Sequence, residues 1–158
     1  MLRFIKSFKY AFSGIAYCVL HERNMRIHTV ISLYVLFFAQ FYNFSKIHYI
    51  IIVAAISSVI TAELINTSIE KLCNKVSPDK SNIIKIVKDT AAGGVLCSAI
   101  GSAIIGLILF VDLNGLLEVF NFFASNFTYC ILFLMSIVIS VLYIALLPKV
   151  YSKHNKEN

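Results

Sequence analysis

Three polar side chains interrupt an otherwise apolar stretch of the chain. Glu63, Asn66 and Glu70 are separated by three and then four residues, so on an α-helix they fall within roughly 60° of one another. An ionised carboxylate near the centre of a membrane helix costs roughly 2.5 to 3.5 kcal/mol, and acids within spans are candidates for function. The spacing therefore predicts a polar site on one helix face; the alternative is that both glutamates are snorkelling or ion-paired interfacial residues.

The position of the carboxylates suggests what they bind. Both lie near the predicted C-terminus of a helix, where the partial negative charge of the helix dipole repels them, so we expect a compensating cation, either Mg²⁺ or Lys71 and Lys75. Glu63 lies roughly 10 Å deeper along the helix axis than Glu70. Glu63 is therefore predicted to meet a membrane-dissolved hydroxyl, and Glu70 to meet metal and nucleotide.

A basic segment follows across a short connection. The run Lys88-Asp89-Thr-Ala-Ala-Gly-Gly94 is predicted to open the next helix, and a lysine beside a helix N-terminus favours phosphate binding. The alternative for Asp89 is a simple N-cap. Acids at one helix end and a cation at the next helix start are what nucleotide-dependent phosphoryl transfer requires.

Composition indicates the environment of these groups. The 158 residues are 59% hydrophobic and 14% charged, with a mean hydropathy of +0.82, which is typical of a membrane protein. The four cysteines form no CxxC pair, so neither a zinc site nor a disulfide framework is supported. In the third apolar stretch small residues recur every four positions and predict a helix-packing face: Gly94, Ser98, Ser102 and Gly106.

The predicted fold is an all-α integral membrane protein. An N-terminal amphipathic helix over residues 1–20 is expected to lie on the membrane surface; the alternative, which is compatible with the first, is an ordinary helix packed against the bundle. A helix needs roughly 20 apolar residues to span a bilayer. Spans are predicted at about 29–44, 47–65, 91–111 and 127–147. The chain then divides into a membrane domain over 1–112 and a C-terminal segment over 113–158 that carries an additional span and a basic tail.

The basic residues predict the orientation. The formal charge of +6 comes from residues that cluster beside the apolar runs, which is explained by topology rather than by nucleic-acid binding. Apart from Lys46, they fall before the first span, between the second and third, or after the fourth. The positive-inside rule then places both termini and the connection between the second and third spans in the cytoplasm.

Together these residues resemble a known family, the small bacterial diacylglycerol kinase and undecaprenol kinase membrane proteins. The resemblance runs from Arg3 to about Phe110. It rests on two motifs at the family's separation, with two upstream elements: Glu63-Leu-Ile-Asn66-Thr-Ser-Ile-Glu70, Lys88-Asp89-Thr-Ala-Ala-Gly, Glu22-Arg23-Asn24 and Gly14.

The resemblance implies an ATP- and Mg²⁺-dependent lipid kinase in the bacterial cell membrane. It further implies a homotrimer of three-span subunits with active sites shared between neighbours. Glu63 would be the general base, Asn66 a catalytic or site-organising residue, and Glu22 and Glu70 the magnesium ligands. The nucleotide or substrate site would include Glu22, Glu70, Lys88 and Asp89 and also Arg3, Tyr10, Asp79, Lys80 and Ser81.

The identity of the acceptor lipid and the departures from the family pattern leave alternative interpretations of the function. The Glu-Arg-Asn segment ending in His28 resembles the branch that acts on undecaprenol, with diacylglycerol as the alternative acceptor. Asn74 stands where an acidic residue is common in the family, and the span at 127–147 is additional. A small transporter would also place acids within spans, and a membrane scaffold would explain the small-residue stripe; neither accounts for the clustered Glu63, Asn66 and Glu70.

Overall fold

A computed structural model describes residues 2–76 and 81–154, and every regular element in those ranges is helical. The structure confirms the all-α class. In chain order the helices are α1 (Leu2–His21), α2 (Arg23–Phe38), a 3-10 turn (Ala39–Phe41), α3 (Lys46–Val76), α4 (Asn82–Phe110), α5 (Leu113–Ser125) and α6 (Phe127–His154).

Three of these helices are long and apolar enough to cross a membrane: α3, α4 and the Phe127–Ala145 part of α6. The principal packing is between α3 and α4. Ser102 Oγ donates to the Ala55 carbonyl oxygen at 3.1 Å, and Ser58 Oγ lies 3.4 Å from Ser98 Oγ. These contacts show that the small-residue stripe of α4 faces α3. The four-residue spacing of the stripe predicts such a helix-packing face.

The first predicted span differs from the helix that is observed. The prediction placed it at 29–44, whereas α2 has 16 residues and ends at Phe38, with the 3-10 turn reaching Phe41. α2 begins at Arg23 because Glu22 takes an extended conformation, with φ −100° and ψ 122°, and separates α2 from α1. The charged segment from Arg23 to residue 28 is thus the first part of α2. Charged side chains do not prevent the backbone hydrogen bonds that join successive turns of a helix.

The connection between the third and fourth predicted spans is also helical rather than a loop. α5 starts at Leu113, and Asp112 caps it by accepting a hydrogen bond from the Gly115 backbone N–H at 2.9 Å. Gly115 packs closely against the ring of Tyr42, whose hydroxyl donates to the Phe110 carbonyl oxygen at 2.9 Å. This close approach joins α5 to the ends of α2 and α4.

The additional C-terminal helix packs beside α2. The Tyr34 hydroxyl lies 3.1 Å from both Ser136 Oγ and Ser140 Oγ of α6. Further along, Phe133 of α6 stacks on Phe37 of α2 with ring centroids 6.4 Å apart. α6 therefore covers one face of α2, leaving another face to meet α3.

The contact at Gly115 makes a prediction about stability. An added methyl group at this position would overlap the Tyr42 ring, whereas one at Gly101 would meet no atom within 4 Å. Gly115→Ala should lower the free energy of unfolding by about 1 to 3 kcal/mol, the usual cost of overpacking. The check is thermal unfolding in detergent beside Gly101→Ala, and equal midpoints for the two variants would contradict the packing described.

Candidate functional site

The site is centred on Glu63, in the C-terminal half of α3. Glu63 is only 2% exposed. Its Oε1 lies 3.4 Å from His28 Nε2 of α2, and the Asn24 side chain also interacts with the carboxylate. The contact with His28 lacks hydrogen-bond geometry, so Glu63 Oε1 has no hydrogen-bond partner among the described residues. A buried carboxylate oxygen thus remains available as an acceptor.

Asn66 lies one turn further along the same helix and hydrogen-bonds to Glu70. Asn66 is 7% exposed, and its Nδ2 donates to Glu70 Oε1 at 3.4 Å. Asn66 Oδ1 is buried without a hydrogen-bond partner in the part of the chain that the structure describes. Because buried polar atoms are usually paired, two unpartnered oxygens in one region indicate a place for a cation or a hydrogen-bond donor.

A third carboxylate reaches this region from the junction between α1 and α2. Glu22 Oε1 lies 3.0 Å from Lys71 Nζ, and that ammonium also lies 5.6 Å from the centre of the Tyr17 ring. Glu22 and Glu70 each lie close enough to Glu63 for their charges to interact with its carboxylate. Lys71, one of the two lysines expected to offset the charge of Glu63 and Glu70, is therefore engaged by Glu22 instead.

The basic segment lies elsewhere on its helix than predicted. α4 begins at Asn82 with Ser81 as its N-cap residue, so Lys88 and Asp89 lie inside the helix and beyond its first turn. The prediction of a phosphate site at a helix N-terminus beside Lys88 was wrong, because α4 starts at Asn82, before the apolar run. Lys88 Nζ instead donates to Asn74 Oδ1 of α3 at 3.0 Å, and Asp89 is exposed.

The remaining predicted nucleotide contacts are spread out. Arg3 and Tyr10 are exposed on α1, at roughly 22 Å and 12 Å along the helix axis from Cys18. Cys18 is the buried residue that contacts Thr67 of α3. Within this chain Arg3 therefore lies far from the carboxylates. Ser81 is exposed, whereas Asp79 and Lys80 lie outside the described residues.

The residues present suit a magnesium ion of the kind found in nucleotide sites. Among the described residues no group of three or more His, Cys, Asp or Glu could by itself hold a metal ion. Magnesium commonly keeps several waters and binds through one or two carboxylates together with substrate phosphates. Glu22, Glu70 and the unpartnered Asn66 Oδ1 fit that chemistry, whereas a closed all-protein metal cage is not formed in this region.

The start of α2 contributes more contacts to the site than the sequence predicts. The sequence connects His28 only with the resemblance to the undecaprenol branch, and it does not predict a contact between His28 and Glu63. In the structure His28 contacts Glu63, and Arg26 is fully buried, with Nη1 donating to the Leu20 carbonyl oxygen at 2.8 Å. The available signal was the four-residue spacing from Asn24 to His28, which places the two residues that contact Glu63 on one face of α2.

An apolar groove leads away from His28. It has a volume of about 250 Å³, lies between α2, α3 and α4, and runs from His28 and Val59 to Leu109 and Phe110. One end of the groove therefore lies at His28, whose Nε2 contacts the buried Glu63 carboxylate. The arrangement places a potential proton acceptor where an apolar molecule with a polar end would present that end.

Comparison with known proteins agrees with this chemistry. A family model described as Prokaryotic diacylglycerol kinase matches residues 9–110. An undecaprenol kinase from Bacillus subtilis is 36% identical over 109 residues, which cover 69% of this chain and 89% of the relative. A diacylglycerol kinase from Synechocystis sp. is 35% identical over 101 residues, which cover 63% of this chain and 58% of the relative. No solved structure matches significantly.

The family match extends from the middle of α1 to the end of α4 and so includes Glu22, Glu63, Asn66, Glu70 and Lys88. α5 and α6 lie beyond it. The resemblance noted from the two spaced motifs is thereby confirmed, and the chain belongs to the prokaryotic diacylglycerol kinase family of membrane lipid kinases.

Proposed function

We propose that this protein transfers the γ-phosphoryl group of ATP to the hydroxyl of undecaprenol, forming undecaprenyl phosphate and ADP. The observation that carries the proposal is the buried Glu63 carboxylate, whose Oε1 forms no hydrogen bond with the described residues and contacts His28 at the end of an apolar groove. A lipid alcohol lying in the groove would bring its hydroxyl to this oxygen.

In the proposed reaction Glu63 accepts the proton of the lipid hydroxyl. The hydroxyl oxygen then forms a bond to the γ-phosphorus while the bond from that phosphorus to the β–γ bridging oxygen breaks, and ADP leaves. Direct in-line transfer needs no covalent enzyme intermediate, because phosphoryl transfer depends mainly on positioning and charge neutralisation. Glu63 is suited to proton transfer since its burial keeps bulk water from competing for the carboxylate oxygen.

Glu22 and Glu70 are proposed to hold Mg²⁺, which when bound neutralises charge on the nucleotide phosphates. Asn66 is proposed to fix the Glu70 carboxylate through the 3.4 Å contact and to offer its own Oδ1 to the site. Glu22 would release Lys71 or share its second oxygen, because the ion pair uses Oε1. These residues would position the nucleotide next to the hydroxyl at Glu63.

The nucleotide contacts are proposed to come from Lys88 and Asp89 of α4, from the segment Asp79, Lys80 and Ser81, and from Arg3 and Tyr10 of α1. The last two lie far along α1 from the carboxylates of their own protomer. A homotrimer in which α1 reaches the site of a neighbouring subunit would bring Arg3 and Tyr10 into contact with the nucleotide. The largely exposed apolar surface of α4 is compatible with contacts to lipid or to other copies of the chain.

The proposed location is the bacterial cell membrane, with the site and both termini at the cytoplasmic face. Basic residues beside Glu70 and Lys88 support this orientation through the positive-inside rule. The connection that contains α5 has no lysine or arginine, as expected for the opposite face.

Diacylglycerol is the second candidate acceptor, since the Synechocystis relative carries the name diacylglycerol kinase. Undecaprenol is favoured because the match covers 89% of the Bacillus subtilis undecaprenol kinase but 58% of the Synechocystis protein. The His28 position, which resembles the undecaprenol branch, lies at the groove end beside Glu63. Both reactions would use the same carboxylates.

Glu63→Gln tests the proposed general base. The amide keeps the shape of the side chain but cannot accept the proton, so kcat should fall by about 10²- to 10⁴-fold. The measurement is transfer of labelled phosphate from ATP to undecaprenol in mixed micelles, with Glu118→Gln as control because Glu118 is exposed on α5. Wild-type turnover by Glu63→Gln would refute the assigned role.

Glu70→Gln tests the proposed metal site separately from the proton acceptor. Loss of one carboxylate ligand should raise the Mg²⁺ concentration needed for half-maximal activity by at least the roughly 10- to 100-fold that loss of an outer-shell partner costs, and chelation of the metal should abolish transfer in the wild type. The measurement is a magnesium titration at saturating ATP and lipid, with Glu118→Gln again as control. An unchanged magnesium requirement would remove Glu70 from the metal site.

A further inference from the structure

Two apolar cavities adjoin one another along α2. The first is the groove between α2, α3 and α4 described above. The second, of about 390 Å³, lies beneath α5 and is lined by Leu116 and Val119 of that helix. Ile31, Val35 and Phe110 line both cavities. The shared walls make the second cavity a continuation of the first at the end away from Glu63.

The walls of the first cavity indicate what it can hold. Its two serines use their hydroxyl donors within the protein: Ser32 Oγ donates to the His28 carbonyl oxygen at 2.7 Å, and Ser102 Oγ donates to the Ala55 carbonyl oxygen at 3.1 Å. The other side chains between His28 and Phe110 are aliphatic. A hydrocarbon chain therefore suits this groove, because burying apolar surface is favourable and no polar partner is required.

The length of the groove determines how much of an acceptor's hydrocarbon chain the first cavity can hold. The α4 positions that line the groove, from Ala99 to Phe110, extend over roughly 16 Å of helix axis. A short alcohol with its hydroxyl at Glu63 would end within this distance. A long single chain would continue past Phe110 into the space beneath α5.

We propose that the hydrocarbon chain of the acceptor alcohol lies in the first cavity and extends into the second, so that α5 contributes to the binding of long single-chain alcohols. This inference rests on the proposed kinase function. α5 lies beyond the family match, which ends at residue 110, so this part of the binding path lies outside the region that the family model describes. One path beginning at His28 suits an alcohol with a single chain better than a glycerolipid with two.

Leu116→Trp tests the second cavity directly, because the larger side chain would occupy the space beneath α5. Leu117→Trp is the matched control: both leucines are 50% exposed on the same helix, and only Leu116 lines the cavity. The measurement is kcat/KM for undecaprenol and for geraniol with each variant. Leu116→Trp should lower the undecaprenol value by about tenfold or more, the usual effect of a changed apolar pocket, and leave the geraniol value unchanged.

The outcomes separate this inference from the proposed function. A wild-type protein that phosphorylates neither alcohol would refute the proposed function itself. A wild-type enzyme active on both, with Leu116→Trp equal to Leu117→Trp on undecaprenol, would overturn only the binding path.

If Leu116→Trp lost activity on both alcohols through misfolding, Gly106→Leu and Gly101→Leu would decide the matter. Both glycines have open space for a side chain, and only Gly106 lines the groove. A selective loss of undecaprenol turnover in Gly106→Leu supports the path. Equal turnover by the two leucine variants overturns it.

Discussion

The burial of the Glu63 carboxylate is the constraint on which the rest of the site depends. A buried ion costs several kcal/mol of desolvation free energy unless partners compensate, and the partners here come from another helix. His28 and Asn24 reach Glu63 because α2 begins immediately after the extended Glu22. The break between α1 and α2 therefore sets both the position of Glu22 and the environment of Glu63.

The same arrangement separates polar from apolar functions along α3. Towards its C-terminus, Asn66 and Glu70 form a hydrogen-bonded pair, and this polar part of the helix is where the nucleotide and metal are proposed to bind. Towards its N-terminus, Val59 and Ile52 line the apolar groove. Glu63 lies where the two regions meet, which is the position required of a group that acts on the polar end of a lipid.

Local periodicity allowed much of this to be predicted from sequence. The three- and four-residue spacings predicted that Glu63, Asn66 and Glu70 share a helix face, because a helix fixes which side chains lie on the same side. The four-residue spacing likewise predicted the packing face of α4, where Ser98 and Ser102 contact α3. Helix boundaries were predicted less well: α4 starts at Asn82 rather than near Lys88, and the connection after residue 112 contains α5. The pairing of Lys71 with Glu22 depends on how α2 packs against α3, which spacing within one helix does not specify.

The most direct test of the account is transfer of labelled γ-phosphate from ATP to defined lipids by the purified full-length protein in lipid micelles with Mg²⁺. Undecaprenol and diacylglycerol should be supplied separately, and the products identified by chromatography. The account predicts labelled undecaprenyl phosphate as the preferred product. Labelled phosphatidic acid alone would contradict the assigned acceptor, and the absence of product from either lipid with folded protein would contradict the proposed kinase activity.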